Sequence, residues 1–100
     1  MASHTQDSRI PRIVHRNRQR YDLYIGRGSK WGNPYKIGRD GDRAEVIALY
    51  ERHVREERPD LRAALPELHG KALGCYCAPL PCHGDVLAQL VAEQLERDGG

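Results

Sequence analysis

Apolar positions return along this chain in two different rhythms. Val46, Ile47, Tyr50 and Val54 recur at three- and four-residue intervals, which places one apolar stripe on a helix. Asp42 stands ahead of that stripe with Glu45 three positions on, a capping-box arrangement that predicts where the helix starts. Pro59 closes the element, and a short helical stretch is expected over residues 60–65. Val86, Leu87, Leu90, Val91 and Leu95 form a second stripe, so a closing helix is expected from Gly84 or Asp85.

The other rhythm is that of strands. Residues 10–15 and 21–25 read as two short strands separated by a polar stretch. In the second of them Leu23 and Ile25 share one face and Tyr24 points to the other. Gly70 breaks the chain before residues 71–77, which read as a buried strand. Residues 26–42 contain five glycines and one proline without periodicity, so they form a long loop. Loops of that length in small domains are functional or disordered. The order of elements predicts an α/β fold, a small single-domain sandwich with a short mixed sheet covered by two or three helices. The helix between the second and third strands permits a right-handed parallel crossover. The folded domain is expected over residues 9–97, with a disordered arm at 1–8 and a disordered tail at 98–100.

One hundred residues make one core, and 39% apolar with 30% charged residues is ordinary globular composition. No apolar run approaches the roughly 20 residues of a membrane helix. The polar start lacks the apolar stretch of a secretory signal, so the cytoplasm is the expected compartment. Three cysteines within eight positions do not read as a disulfide framework. They read as a metal or reactive-thiol site in a reducing compartment.

The net charge of +2 hides an asymmetry: residues 1–40 carry +6 and residues 41–100 carry −4. Arg9, Arg12, Arg16, Arg18, Arg20, Arg27, Lys30, Lys36 and Arg39 form a candidate patch for a phosphate-bearing small molecule or a nucleic acid. The plainer alternative is a solvated arm without a partner, and a pI of 8.5 is low for a dedicated nucleic-acid binder.

Cys75, Cys77, Cys82 and His83 stand at the carboxyl end of the third strand and the start of the last helix, in the pattern C-x-C-x4-C-H. Three chemistries fit. The four side chains match zinc in number and softness, and three thiolates also suit an iron–sulfur cluster. Adjacent residues rarely reach one ion together, so His53, His69 or water are alternatives to His83 as fourth ligand. A thiol at a helix start has its pKa lowered by the helix dipole, which makes Cys82 a candidate nucleophile. His83 then serves as its base, with Asp85 in the same turn. Lastly, the cysteines are small buried hydrophobes of the core. The metal reading requires Cys75 or Cys77 within roughly 7 Å of Cys82, given a zinc–thiolate bond of about 2.3 Å.

Gly26-Arg27-Gly28-Ser29-Lys30-Trp31-Gly32-Asn33-Pro34-Tyr35 follows a strand directly. Its glycines permit an anion-binding nest of backbone N–H groups. Arg27, Ser29, Lys30 and Asn33 add polar contacts, and Trp31 or Tyr76 offers a flat face for a base. The spacing is not that of a Walker loop. Alternatively Trp31 and Tyr35 pin the loop to the core, the commoner use of a lone tryptophan. Arg27 and Cys82 are both expected at one edge of the sheet, where open α/β folds bind ligands.

These two stretches together resemble a small domain-of-unknown-function family of bacterial and phage proteins. That family carries G-R-P-S-K-W-G-N-P-F followed by L-x-C-W-C-K-P-x-x-C-H-G-D-V-L. The likeness runs over about residues 10–95. Arg27, Ser29, Trp31, Asn33, Cys77, Cys82, His83 and Asp85 match; Gly28, Tyr76 and Ala78 replace Pro, Trp and Lys. The resemblance implies a site shared by the loop and the Cys–His turn, but it supplies no reaction. The expectation is a phosphate- or nucleotide-binding pocket, with nucleotide or nucleic-acid processing as its use. The alternative is a non-catalytic zinc-binding module that contacts nucleic acid or a host protein.

Overall fold

Ala72–Cys75 (β3) is buried at every position because the chain flanks it on both sides. Arg12–His15 (β1) and Leu23–Tyr24 (β2) pair with it in a three-stranded sheet of order β1-β3-β2. This computed structural model describes residues 8–77 and 80–99. Both pairings are parallel, with Arg12 opposite Ala72 and Leu23 opposite Leu73. The sheet expected to be mixed is therefore parallel throughout. The reason is that β1 and β2 never pair with each other, so no hairpin forms between them.

Residues 16–22 carry the chain from one side of β3 to the other without a helix. The Arg16 N–H donates to Cys75 O at 2.8 Å, and the Asp22 N–H donates to Ala72 O at 2.8 Å. The return is thus only three strand positions, roughly 10 Å at the usual strand rise. Seven residues span that distance and two strand spacings. Alternation puts Leu73 and Cys75 on the face that joins the core, and Gly74 on the other. There Tyr21 lies flat on the strand, and a Cβ at Gly74 would stand 2.6 Å from Tyr21 Cγ.

Arg43–Arg52 (α1) begins at Asp42 with the reciprocal cap anticipated from the sequence. The Glu45 N–H donates to Asp42 Oδ1, and the Asp42 N–H to Glu45 Oε1, each at 2.8 Å. The helix runs into a π turn at His53–Glu57, and Pro59–Ala64 (α2) follows with Pro59 in its first turn. A 3-10 turn at Leu65–Leu68 leads back to β3. His83–Gly99 (α3) closes the chain and packs on α1 and β1. Arg55 ties α1 and α3 together, with Nη1 and Nη2 on the two oxygens of Glu93 at 3.0 and 2.9 Å. Val46, Tyr50, Val54, Leu87 and Val91 lie in the core, as their spacing required. The last helix extends to Gly99, past the tail expected from residue 98. Of the arm expected at residues 1–8, residues 1–7 lie outside the described residues, as does Gly100 of the tail. Among the described residues no helix is long and apolar enough to cross a membrane.

Gly74→Ala should lower unfolding free energy by about 1–3 kcal/mol, the range for forcing extra atoms into a packed site. Tyr21→Ala placed in the Gly74→Ala chain should recover part of that loss. Urea midpoints of the two single variants and the double variant measure the coupling.

Candidate metal centre

The three cysteines reach one point from three different backbone settings. Cys75 is the last residue of β3 and faces the core; Cys77 lies two residues beyond the strand. Cys82 stands at the N-cap of α3 and returns the chain to the same edge. Its Sγ accepts the Gly84 N–H at 3.3 Å, so a thiol does here what a serine hydroxyl does at other caps. Asp85 completes the cap, its Oδ2 accepting the Cys82 N–H at 3.0 Å.

Cys75 and Cys82 Sγ are 3.4 Å apart, and all three sulfurs lie within 4.8 Å of one another. A tetrahedral ion with bonds of about 2.3 Å holds its sulfurs about 3.8 Å apart. The cluster therefore has the size for a metal ion. Cys75 and Cys82 are buried and Cys77 is half-buried.

His83 does not belong to this cluster. Its Nε2 lies 2.7 Å from Ile25 O, and its ring meets Tyr50 edge-on at 5.0 Å. Burial holds its pKa below the ordinary imidazole value. The four-ligand set Cys75, Cys77, Cys82 and His83 is thus reduced to its three thiols, because the imidazole ties α3 to the end of β2. His53 and His69 also stand outside it, paired with Glu57 and Gln94.

The Cys82–His83–Asp85 set is not arranged as a nucleophile, base and orienting acid. Among the described residues His83 makes no hydrogen bond to Cys82, and Asp85 serves the backbone of Cys82 instead. Burial raises the Cys82 thiol well above its ordinary pKa, and the neighbouring Cys75 and Cys77 raise it further. The N–H of Gly84 opposes this shift and does not outweigh it. A metal dication would reverse that balance, since a coordinated thiol is deprotonated outright.

A cleft of about 570 Å³ opens beside the thiols. Cys75, Cys77, Cys82 and His83 line it, together with Arg27, Asn33 and Tyr76 from the expected site. Ser29, Lys30, Trp31 and Asp85 lie off it. Trp31 is 2% exposed and belongs to the core, where its carbonyl accepts the Tyr50 hydroxyl at 2.8 Å. The Ser29 hydroxyl donates to Gly26 O at 2.7 Å, and Lys30 pairs with Glu67 at 2.9 Å. Asn33 braces the loop as well, donating to Val46 O at 3.1 Å and accepting the Tyr35 N–H at 2.9 Å.

Three further residues stand on the wall: Lys36 from the expected basic patch, Tyr24 from the strand before the loop, and Arg43, which no sequence motif marked. Arg43 Nη1 donates to Pro81 O at 3.0 Å, which holds the turn before Cys82 against α1. Its only signal in the sequence was a place in the first turn of a capped helix. Arg27, Lys36 and Arg43 give the wall three cations, and among the described residues no carboxylate lines it.

The family model described as Domain of unknown function (DUF4326) matches residues 11–93. The chain belongs to this family. It is 34% identical over 102 residues to the uncharacterized 12.4 kDa protein in the nrdA-td intergenic region of Enterobacteria phage T4, covering 98% of this chain and 93% of that one. It is also 34% identical over 90 residues to the uncharacterized protein R718 of Acanthamoeba polyphaga mimivirus, covering 72% of this chain and 68% of that one. No solved structure matches it. The expected likeness to a small phage domain-of-unknown-function family holds at this level.

Alkylation should follow exposure rather than helix position. In reduced, metal-free protein near neutral pH, Cys77 should react first and Cys75 and Cys82 slowly, because burial keeps the latter pair from water. Peptide mapping after timed labelling reads the order. Cys82 reacting first would show a thiolate stabilised by the helix after all.

Proposed function

We propose that this protein holds a zinc ion on Cys75, Cys77 and Cys82 and binds a phosphate-bearing, nucleotide-type ligand in the adjoining cleft. The observation that carries this reading is the lining of the cleft. Among the described residues it offers three cations, no carboxylate, and three convergent thiols. Its volume falls within the roughly 300–1,000 Å³ of small-molecule sites. A dication on three thiolates has a net charge of −1, which Arg27, Lys36 and Arg43 more than offset. Tyr24, Tyr35 and Tyr76 supply flat faces against which a base can pack.

Each residue then has a separate task. Arg27, three residues past the end of β2, lines the cleft, and the planar fork of donors of an arginine suits a phosphate. Three protein ligands leave a fourth position, and Cys77, the half-buried thiol, marks the side from which the cleft reaches the cluster. Bound zinc supplies a Lewis acid there. Asp85 and Gly84 keep Cys82 oriented through the backbone of α3. The second reading, a zinc-stapled module without turnover, draws on the burial of Cys75 and Cys82.

Two measurements test this. Elemental analysis of protein purified under reducing, oxygen-free conditions should find zinc near one per chain, and Cys77→Ser should reduce it. Iron with labile sulfide would assign a cluster instead, and neither metal would leave a free-thiol site. Arg27→Ala should weaken binding of a nucleoside monophosphate by about 1.5–3 kcal/mol, the range for a hydrogen bond to a charged group. Its melting temperature should not move, since an exposed, unpaired arginine adds little to stability. Lost stability with unchanged binding would make Arg27 structural and favour the module.

A further inference from the structure

The aromatic wall of the cleft continues past the cysteines to a cation outside it. Arg16 Cζ lies 4.8 Å from the Tyr24 ring centroid and 5.3 Å from that of Tyr76. The two tyrosine rings meet edge-on at 6.4 Å, and His15 meets Tyr76 edge-on at 6.0 Å. Tyr76 is nonetheless 55% exposed, so much of its ring remains in water.

Among the described residues some cations pair with a carboxylate and others do not, Arg12, Arg43, Arg62 and Lys71 being among the latter. Arg52, Arg55 and Arg58 each pair with a carboxylate, as do Arg39 and Lys30. Arg16, Arg18, Arg20 and Arg27 have no carboxylate partner among the described residues. Arg16, Arg18 and Arg20 follow one another on the connection that crosses β3, and Arg18 and Arg20 are exposed. Neither Arg18 nor Arg20 lines the cleft, so a ligand confined to the cleft leaves them unused.

We propose that the ligand is a single-stranded polynucleotide. One nucleotide occupies the cleft, Tyr76 stacks a base at its mouth, and Arg16, Arg18 and Arg20 follow the adjoining phosphates. This rests on the phosphate-ligand reading above and extends it to a polymer. A single strand fits because only unstacked bases present faces to an aromatic ring. Stacking on tyrosine tolerates any base, while unpaired arginines neutralise the backbone regardless of sequence.

The test uses the full chain, reduced and zinc-loaded. Fluorescence anisotropy follows labelled RNA and DNA oligonucleotides, single-stranded and duplex, and calorimetry follows a nucleoside monophosphate. Either single strand should bind more tightly than the monophosphate and than its duplex, with affinity falling linearly in log salt. The Arg18→Ala/Arg20→Ala double variant should flatten the salt slope by about 1.4, at about 0.7 per phosphate contact on a single strand. It should leave monophosphate binding and the melting temperature unchanged. Tyr76→Ala should weaken the oligonucleotide roughly five- to 150-fold, the span of one base–aromatic stack. Tyr76→Phe should restore it.

Monophosphate binding without a gain for the oligonucleotide would overturn the polymer and leave the cleft reading standing. So would an unchanged salt slope in the double variant, or a duplex that binds as well as its single strands. Loss of both ligands would overturn the cleft reading and this one with it.

Discussion

The thiol cluster exists because α3 comes unusually close to the ends of β1 and β2. At Gly84 a Cβ would stand 2.8 Å from Ile25 Cδ1 and 2.9 Å from Ile13 Cδ1, so any larger residue would push those side-chain ends aside. The approach is locked by His83, whose Nε2 meets Ile25 O at 2.7 Å. That bond satisfies a backbone carbonyl at the point where β2 leaves the sheet, which would otherwise be buried without a partner. With the helix start held, Cys82 has no choice but to face Cys75.

The glycine-rich loop shows how polar residues serve the fold and a site at once. Ser29 and Asn33 turn their hydrogen bonds inward on Gly26 O and Val46 O, and Trp31 is sealed beneath them with its carbonyl on Tyr50. These contacts keep a loop without secondary structure from collapsing over the cleft. Arg27 is the member of the stretch whose charge is left facing outward and unpaired. Rigidity beneath and an unpaired cation above are what preorganised anion binding requires.

Charge follows the same division of labour. On the helical side Arg52, Arg55 and Arg58 pair with glutamate or aspartate, while Arg43 and Arg62 donate to backbone carbonyls. The sheet edge carries arginines beside tyrosines, which concentrates positive potential around the cleft. An overall charge of +2 conceals this, because the two faces cancel in the sum.

Sequence alone determined what neighbouring residues settle among themselves. The capping box at Asp42 and Glu45, the stripes through α1 and α3, and the breaks at Pro59 and Gly70 all act within a few positions. The convergence of Cys75 and Cys82 was also legible, since a strand end and a short return to a helix start share one edge. Alternation put Cys77 on the face of Cys75 in a strand expected to reach residue 77; it comes to the same point from two residues beyond the strand's end. Tertiary structure decided the rest. The parallel order β1-β3-β2 rests on pairings such as Arg12 with Ala72 and Leu23 with Leu73, far apart in the chain, and the carbonyl of buried Trp31 meets a hydroxyl nineteen residues away. His83 leaves the metal set for a carbonyl fifty-eight residues earlier, and Arg43 joins the wall through Pro81, thirty-eight residues later. The helix dipole at Cys82 is a local effect, and it lost to burial and two adjacent thiols. A side chain's periodicity is written in its neighbours, whereas its partner and its dielectric depend on which distant segments the folded core brings against it.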